Sequence, residues 1–282
     1  MSAQMQVKMK NQTFLSYLRP ALDTCKKNKG LFFLSIFLDI LFFIAIIASQ
    51  VWILTIVRDS VLKVMEIVQQ TAGELAQAEA VAQVSPELFK TPELMAEFQI
   101  ILKYFLILIG LVFLFWIVFK GINWFIAHKM LKKVDAKKFT IKFMLYSLLA
   151  FVFLLIWFVI VMRLISYSTS AFLPLMSVGL DRIFLFLGIA VLNYFVFITY
   201  SMIPYAGCRK IWNFGIKNYR VLVPAYLFWL IALMILSYLT VWVISINYWA
   251  PAIFALLITI PAFAYGRIYI LVVVNNVLKR GR

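Results

Sequence analysis

Residues 31–57 read LFFLSIFLDILFFIAIIASQVWILTIV, and Asp39 is the one charged side chain among them. About 20 apolar residues suffice for a helix to cross the hydrocarbon core of a bilayer. The run is also longer than the apolar core of a secretory signal, so we expect a retained first span rather than a cleaved leader. Five further runs have the same character, and the six predicted spans are 31–57, 103–119, 143–165, 183–203, 221–246 and 252–277.

The composition of the whole chain agrees with a lipid environment. Hydrophobic residues make up 65% of the chain and charged residues 13%, whereas soluble domains are near one half and one quarter. None of the six runs alternates apolar and polar residues as a membrane β-strand does. The sequence therefore predicts an all-α polytopic membrane protein with six transmembrane helices.

Lysines and arginines alternate by side along the chain. The seven acids of 58–98 lie on one side of a six-span protein. The opposite side carries most of the basic residues, which are Lys8, Lys10, Arg19, Lys26, Lys27, Lys29, Lys129, Lys132, Lys133, Lys137, Lys138, Lys142, Arg209, Lys210, Lys217, Arg220, Lys279, Arg280 and Arg282. The positive-inside rule then predicts a cell-membrane protein with both termini in the cytoplasm. Its net charge of +16 is explained by topology and by contact with anionic lipid headgroups, and we expect no nucleic-acid partner.

Each pair of spans follows a short basic stretch with apolar residues at helical spacing. These stretches divide the six spans into three hairpins, with residues 1–30 as a basic cytoplasmic segment and 31–282 as the membrane domain. One interpretation is a set of interfacial helices that lie at the lipid headgroups. The alternative is that the stretches are the basic ends of the spans, and for the second stretch we favour plain continuation of the preceding span.

Residues 59–98 predict a helical hairpin on the extracytoplasmic side, inserted between the first two spans. Apolar residues recur there at steps of three and four, so the first span is expected to continue outward as one long helix. Thr91, Pro92 and Glu93 form a typical helix start that leads into the second span. The hairpin either packs on itself as a stalk, which we favour, or binds a protein partner or a second copy of the chain.

Asp39 and Arg267 are the ionisable residues placed well inside predicted spans. They lie about 12 Å and about 15 Å from the inner ends of the first and sixth spans, so we predict that these helices are neighbours and that the two side chains pair. Asn193, Tyr200 and Tyr265 would extend a polar seam around them. The pair is either structural, which we favour, or part of a polar cavity that binds an anionic headgroup or solute at Arg267.

The remaining reactive residue types form no recognisable catalytic pattern. His128 is the one histidine, and we expect it to be solvated in its basic segment. Cys25 and Cys208 are expected to be inert, and no cofactor or metal is predicted. The sequence therefore favours a non-catalytic scaffold, assembly or lipid-interacting protein. The alternative is a transporter or channel with a polar site around Asp39 and Arg267.

Overall fold

The computed structural model describes residues 13–77, 91–170, 180–205, 208–243, 247 and 249–280. Side chains are described for the same residues except 71–77, 164–170, 180–182 and 208–209. Helix accounts for 94% of the structure, and no strand occurs among the residues described. The predicted all-α class is therefore confirmed for this part of the chain.

Ten α-helices are labelled here in chain order. They are α1 (Leu18–Lys27), α2 (Lys29–Gln77), α3 (Pro92–Phe115), α4 (Gly121–Leu131), α5 (Ala136–Ser170), α6 (Leu180–Met202), α7 (Cys208–Lys217), α8 (Tyr219–Trp242), α9 (Ala250–Phe254) and α10 (Ile260–Arg280). A 3-10 turn, Phe14–Tyr17, precedes α1. Single π-helical turns, Trp116–Lys120 and Ala255–Thr259, join α3 to α4 and α9 to α10.

Within the described part of the chain, six helical stretches are long and apolar enough to cross a membrane, as the sequence predicts. They are Lys29–Gln70, Pro92–Leu131, Ala136–Arg163, Ile183–Met202, Tyr219–Trp242 and Ala250–Arg280. The first two are much longer than the predicted spans, because α2 continues outward without a proline and α3 continues through a π turn into α4. The structure thus supports a multi-pass membrane protein, while the arrangement as three hairpins stays a prediction.

The basic stretches differ in the way their helices connect to the spans. α1 and α7 are separate helices of 10 residues each, and both end at an asparagine, Asn28 and Asn218. Each asparagine amide donates to the carbonyl four residues earlier, at 3.0 Å in both cases. The second stretch belongs instead to the continuous helical run Pro92–Leu131, which confirms the predicted continuation.

One compact unit comprises Met1–Ile40 and Phe119–Arg282. Its most deeply buried helix is α10, where an uninterrupted run from Gly266 to Val274 is buried. A Cβ at Gly266 would collide with the indole ring of Trp229, so the absence of a side chain lets α8 approach α10 closely. The 3-10 turn that precedes α1 packs against the same helix, because the hydroxyl of Tyr269 donates to the carbonyl of Phe14 at 3.2 Å.

Within the same unit, α6 packs between its neighbours α5 and α7. The ring of Phe195 stacks on Trp212 of α7 with centroids 4.3 Å apart. On the α5 side, the hydroxyls of Ser147 and Tyr200 lie 2.8 Å apart. The contact between Ser147 and Tyr200 fixes the register of the α5–α6 pair.

The second compact unit is Leu41–Val118 and contains most of α2 and all of α3. Lys63 Nζ lies 3.1 Å from Glu97 Oε1, so the two helices run beside each other beyond the most apolar part of the spans. Thr91 precedes α3 as its N-cap residue with Pro92 at the first helical position, as predicted. The turn of the predicted hairpin, 78–90, lies outside the described residues.

Candidate functional site

The predicted pair of Asp39 and Arg267 is present in the structure. Asp39 Oδ2 lies 2.7 Å from Arg267 Nη2, and the second guanidinium nitrogen, Nη1, donates to Ser35 Oγ at 2.9 Å. Asp39 and Ser35 lie one turn apart on α2, so a single arginine from α10 bridges both. The planar guanidinium suits this geometry because its donors lie in a fixed fork.

Two residues that the sequence analysis did not place here complete the cluster. Lys120 Nζ lies 2.7 Å from Asp39 Oδ1, and Asn123 Nδ2 donates to the same oxygen at 2.9 Å. Both come from the end of the π turn and the start of α4. We refer to Ser35, Asp39, Lys120, Asn123 and Arg267 together as the ion network.

The ion network is closed to solvent. Asp39 and Asn123 are fully buried, and the most exposed member, Lys120, retains 9% of its reference surface. Asp39 accepts from three donors, so its carboxylate is well satisfied. Such packing matches a structural network that joins three segments more closely than it matches an open cavity.

The charges of the network do not balance. One carboxylate faces two cations, Lys120 and Arg267, in a region where low dielectric strengthens every electrostatic interaction. In addition, Asn123 Oδ1 is a buried oxygen for which the structure shows no hydrogen-bond donor. An unpartnered buried acceptor is uncommon and costs about 1–3 kcal/mol.

The other residues predicted for the polar seam lie elsewhere. Tyr265 is on α10 and its hydroxyl donates to the carbonyl of Leu18 at 2.8 Å, so it anchors the start of α1. Asn193 is half-buried on α6 and is not among the described contacts of Asp39 or Arg267. The prediction that these residues form one seam with the ion pair is not supported by the contacts observed.

Tyr200 belongs to a separate aromatic cluster with Trp124 and Phe143. Its ring centroid lies 5.5 Å from that of Trp124 and 4.5 Å from that of Phe143. Its carbonyl oxygen is 2.9 Å from Nε2 of His128, which therefore carries its proton on that nitrogen when the two hydrogen-bond. This contact links α4 to the end of α6.

The expectation of a solvated His128 is wrong. Its side chain is buried, with 1% of its surface exposed, and its ring packs against Phe139 at 5.3 Å. The basic residues around it in sequence point away from the buried face of the helix, because a helix turns successive side chains to different sides. His128 is thus a packing residue of the aromatic cluster.

Cys25 matches the expectation of an inert thiol. It is buried on the inner face of α1, and burial raises the pKa of its thiol to about 11. A thiol with a raised pKa holds little thiolate at neutral pH and reacts slowly. The side chain of Cys208 lies outside the described residues. Among those described, no group of three or more His, Cys, Asp or Glu residues is arranged to hold a metal ion.

Comparison with protein-family models, with curated proteins and with solved structures finds no match to this chain.

Proposed function

We propose that this chain is a non-catalytic multi-pass protein of the cell membrane that acts as a scaffold, assembly or lipid-interacting protein. The observation that carries the proposal is the closed ion network. Its carboxylate is occupied by donors of the protein itself, and none of its residues exceeds 9% exposure. A solute would have to displace these internal partners before it could bind there.

The proposal includes an orientation with both termini in the cytoplasm. The basic residues of α1, of the α4–α5 connection and of α7 support it, because such residues concentrate on the cytoplasmic side of membrane proteins. In this orientation the exposed lysines meet the anionic headgroups of the inner leaflet. The acidic segment 59–98 then faces the opposite side.

We place a protein partner or a second copy of the chain at 59–98. Leu62, Met65 and Val68 remain exposed at three-residue steps on α2, where the helix extends beyond the length that a bilayer requires. A photoactivatable crosslinker at position 62 should therefore give a product of higher mass in cells, and one at Lys26 serves as a control on the other side. If neither position yields a specific product, this surface has no protein partner.

A second candidate, a transporter or channel for an anion, is favoured by the uneven charge of the network. Lys120 adds a cation beyond the one that Asp39 neutralises, and Asn123 Oδ1 lacks a donor. A site with surplus positive charge and an unsatisfied oxygen could hold a hydrated anion or a proton-bearing group. This candidate requires the network to open.

Purified protein in lipid vesicles separates the two candidates. We expect vesicles loaded with chloride or phosphate to release it no faster than protein-free vesicles, because the network stays closed. Release above that background, abolished by Lys120→Met in a protein that keeps its melting temperature, would replace the scaffold proposal with the transport one. A vesicle-leak control with a large uncharged dye distinguishes specific flux from damage.

A further inference from the structure

A basic cavity of about 170 Å³ lies where the α4–α5 connection meets the end of α6. Its charged lining consists of Lys132, Lys133, Asp135, Lys138 and Lys142. The carboxylate of Asp135 caps the start of α5 by accepting from the backbone N–H of Lys138 at 3.2 Å. Four ammonium groups thus surround the cavity against one carboxylate that already has a backbone donor.

The cations are drawn together by the carboxyl end of α6. Lys142 Nζ donates to the carbonyl of Ile203 at 3.5 Å, just beyond the last helical residue. Lys132 Nζ lies 3.3 Å from the centre of the Tyr205 ring, in cation–π geometry. Helix C-termini attract positive charge, so the arrangement is supported by the fold rather than by a chance run of lysines.

A second space, an apolar groove of about 170 Å³, lies between α5 and α6. On α5 its first lining residue is Tyr146, one helical turn after Lys142. On α6 its first lining residues are Thr199 and Tyr200, one turn before Ile203. The basic cavity and the apolar groove therefore follow each other along the same helix pair.

A basic cavity followed by an apolar groove matches an amphiphile, which has a charged headgroup and an apolar chain. Apolar cavities of roughly 150 Å³ already admit a benzene-sized molecule, so the groove can receive part of a hydrocarbon chain. The adjoining lysines supply several donors for a phosphate group. Neutral lipids lack the net charge that would match the cavity.

We propose that the α5–α6 groove binds one anionic phospholipid, with its phosphate between Lys133, Lys138 and Lys142 and an acyl chain along Tyr146, Ala150 and Phe195. The inference rests on the proposed function, because it requires these lysines to lie at an anionic membrane surface. It goes further by naming the lipid class and the residues that hold it.

The test measures lipid binding to the full chain in neutral detergent, by native mass spectrometry and by the shift in melting temperature. The probes are phosphatidylglycerol, phosphatidylcholine and inorganic phosphate, each titrated separately. We expect one phosphatidylglycerol to bind with at least about tenfold preference over phosphatidylcholine. Inorganic phosphate should bind much more weakly, because it cannot use the groove.

Two variants assign the site. The triple variant Lys133→Gln, Lys138→Gln, Lys142→Gln should weaken phosphatidylglycerol binding at least about tenfold. Its matched control removes three exposed lysines of another basic segment, Lys26→Gln, Lys27→Gln, Lys29→Gln, and should change binding less than about twofold.

The second variant, Ala150→Phe, fills the groove without touching a charge. It should weaken the binding of phosphatidylglycerol while leaving that of inorganic phosphate unchanged. Equal losses in the lysine variant and its control would overturn the proposal, and so would full binding in Ala150→Phe. If the protein binds no phosphatidylglycerol and carries no anion flux, the lipid site is wrong and the scaffold proposal stands. If it carries anion flux and binds phosphatidylglycerol normally, the scaffold proposal is wrong and the lipid site stands.

Discussion

Replacement of Asp39 by asparagine should be the most damaging single change in the ion network. Asp39→Asn keeps the shape of the side chain but removes its charge, so Lys120 and Arg267 would both lose the carboxylate that each contacts in the structure. Breaking a buried ion pair by removal of one partner typically costs about 3–5 kcal/mol. Neutral hydrogen bonds between membrane helices contribute only about 0.6 kcal/mol on average. The two magnitudes are far enough apart to be distinguished.

Removal of Lys120, the surplus cation, gives a second test, because its expected effect on the free energy of unfolding has a direction as well as a size. Lys120→Met leaves Asp39 paired with Arg267, so we expect the free energy of unfolding to change by less than about 1 kcal/mol. Adding Lys120→Met to Asp39→Asn should raise the stability above that of Asp39→Asn alone, since one buried cation instead of two has then lost its contact with a carboxylate. An ordinary pair of damaging substitutions would give the opposite sign.

The measurement is a titration of purified protein in mixed micelles with a denaturing detergent, followed by far-ultraviolet circular dichroism and by tryptophan fluorescence. Lys217→Met, which removes an exposed lysine at the end of α7, serves as the control for loss of a positive charge. Two results would refute the description of the network as a buried ion pair with an extra cation. One is a cost below about 1 kcal/mol for Asp39→Asn. The other is a double variant that is less stable than Asp39→Asn alone.

Two further predictions concern packing and reactivity. Gly266→Ala should destabilise the protein by about 1–3 kcal/mol in the same titration, because the added Cβ collides with Trp229. The control is Gly110→Ala, whose added Cβ meets nothing within 4 Å and should have no such cost. Cys25, in a variant without the other cysteine, should react with a maleimide at pH 8 at least about a hundredfold more slowly than an exposed thiol of ordinary pKa. Its pKa is raised to about 11, so little of it is thiolate at pH 8, and its side chain is also buried. A cysteine placed at the exposed neighbouring position Lys26 is the control, and equal rates at the two positions would show that α1 does not pack as the structure has it.

The contact between Asp39 and Arg267 could be predicted because burial of charge in lipid is costly. Each residue is isolated among apolar neighbours, and the two lie at similar depths if six spans are counted. Equal depth and opposite charge were sufficient to pair them across the whole length of the chain. The extension of α2 beyond the first span was predicted on separate grounds, because apolar residues recur there at helical spacing and no proline interrupts the helix.

Lys120 was missed because a lysine after an apolar run resembles the end of a span. The predicted second span stops at residue 119, while the helical run continues to Leu131. Continuation of this helix through the second basic stretch was predicted, but helical continuity alone does not indicate that Lys120 faces the buried side of the helix. His128 was misjudged for the related reason that neighbours in sequence do not share a face of a helix.

Asn193, Tyr200 and Tyr265 show the limit of reading polar residues as one seam. Each lies on a helix predicted to be near the pair, yet the rotation of a helix about its axis depends on tertiary packing. Tyr265 faces α1 and Tyr200 faces the aromatic cluster. Tertiary contacts, rather than the pattern along any one helix, decide which polar side chains meet.

The positions of the ion network's charged residues along the chain set the order in which they enter the membrane during synthesis. Asp39 enters the membrane with the first span, whereas Lys120 follows 81 residues later and Arg267 follows 228 residues later. At about 5–20 residues per second, the carboxylate waits roughly 4 to 16 s for the lysine and roughly 10 to 45 s for the arginine. Lys120, which is the surplus cation of the finished protein, is the first counter-ion available to the nascent chain. A charge that adds little to the stability of the finished protein can therefore protect an intermediate of its assembly. Chains that lack Lys120 should be degraded more often during synthesis even where the completed fold is unharmed.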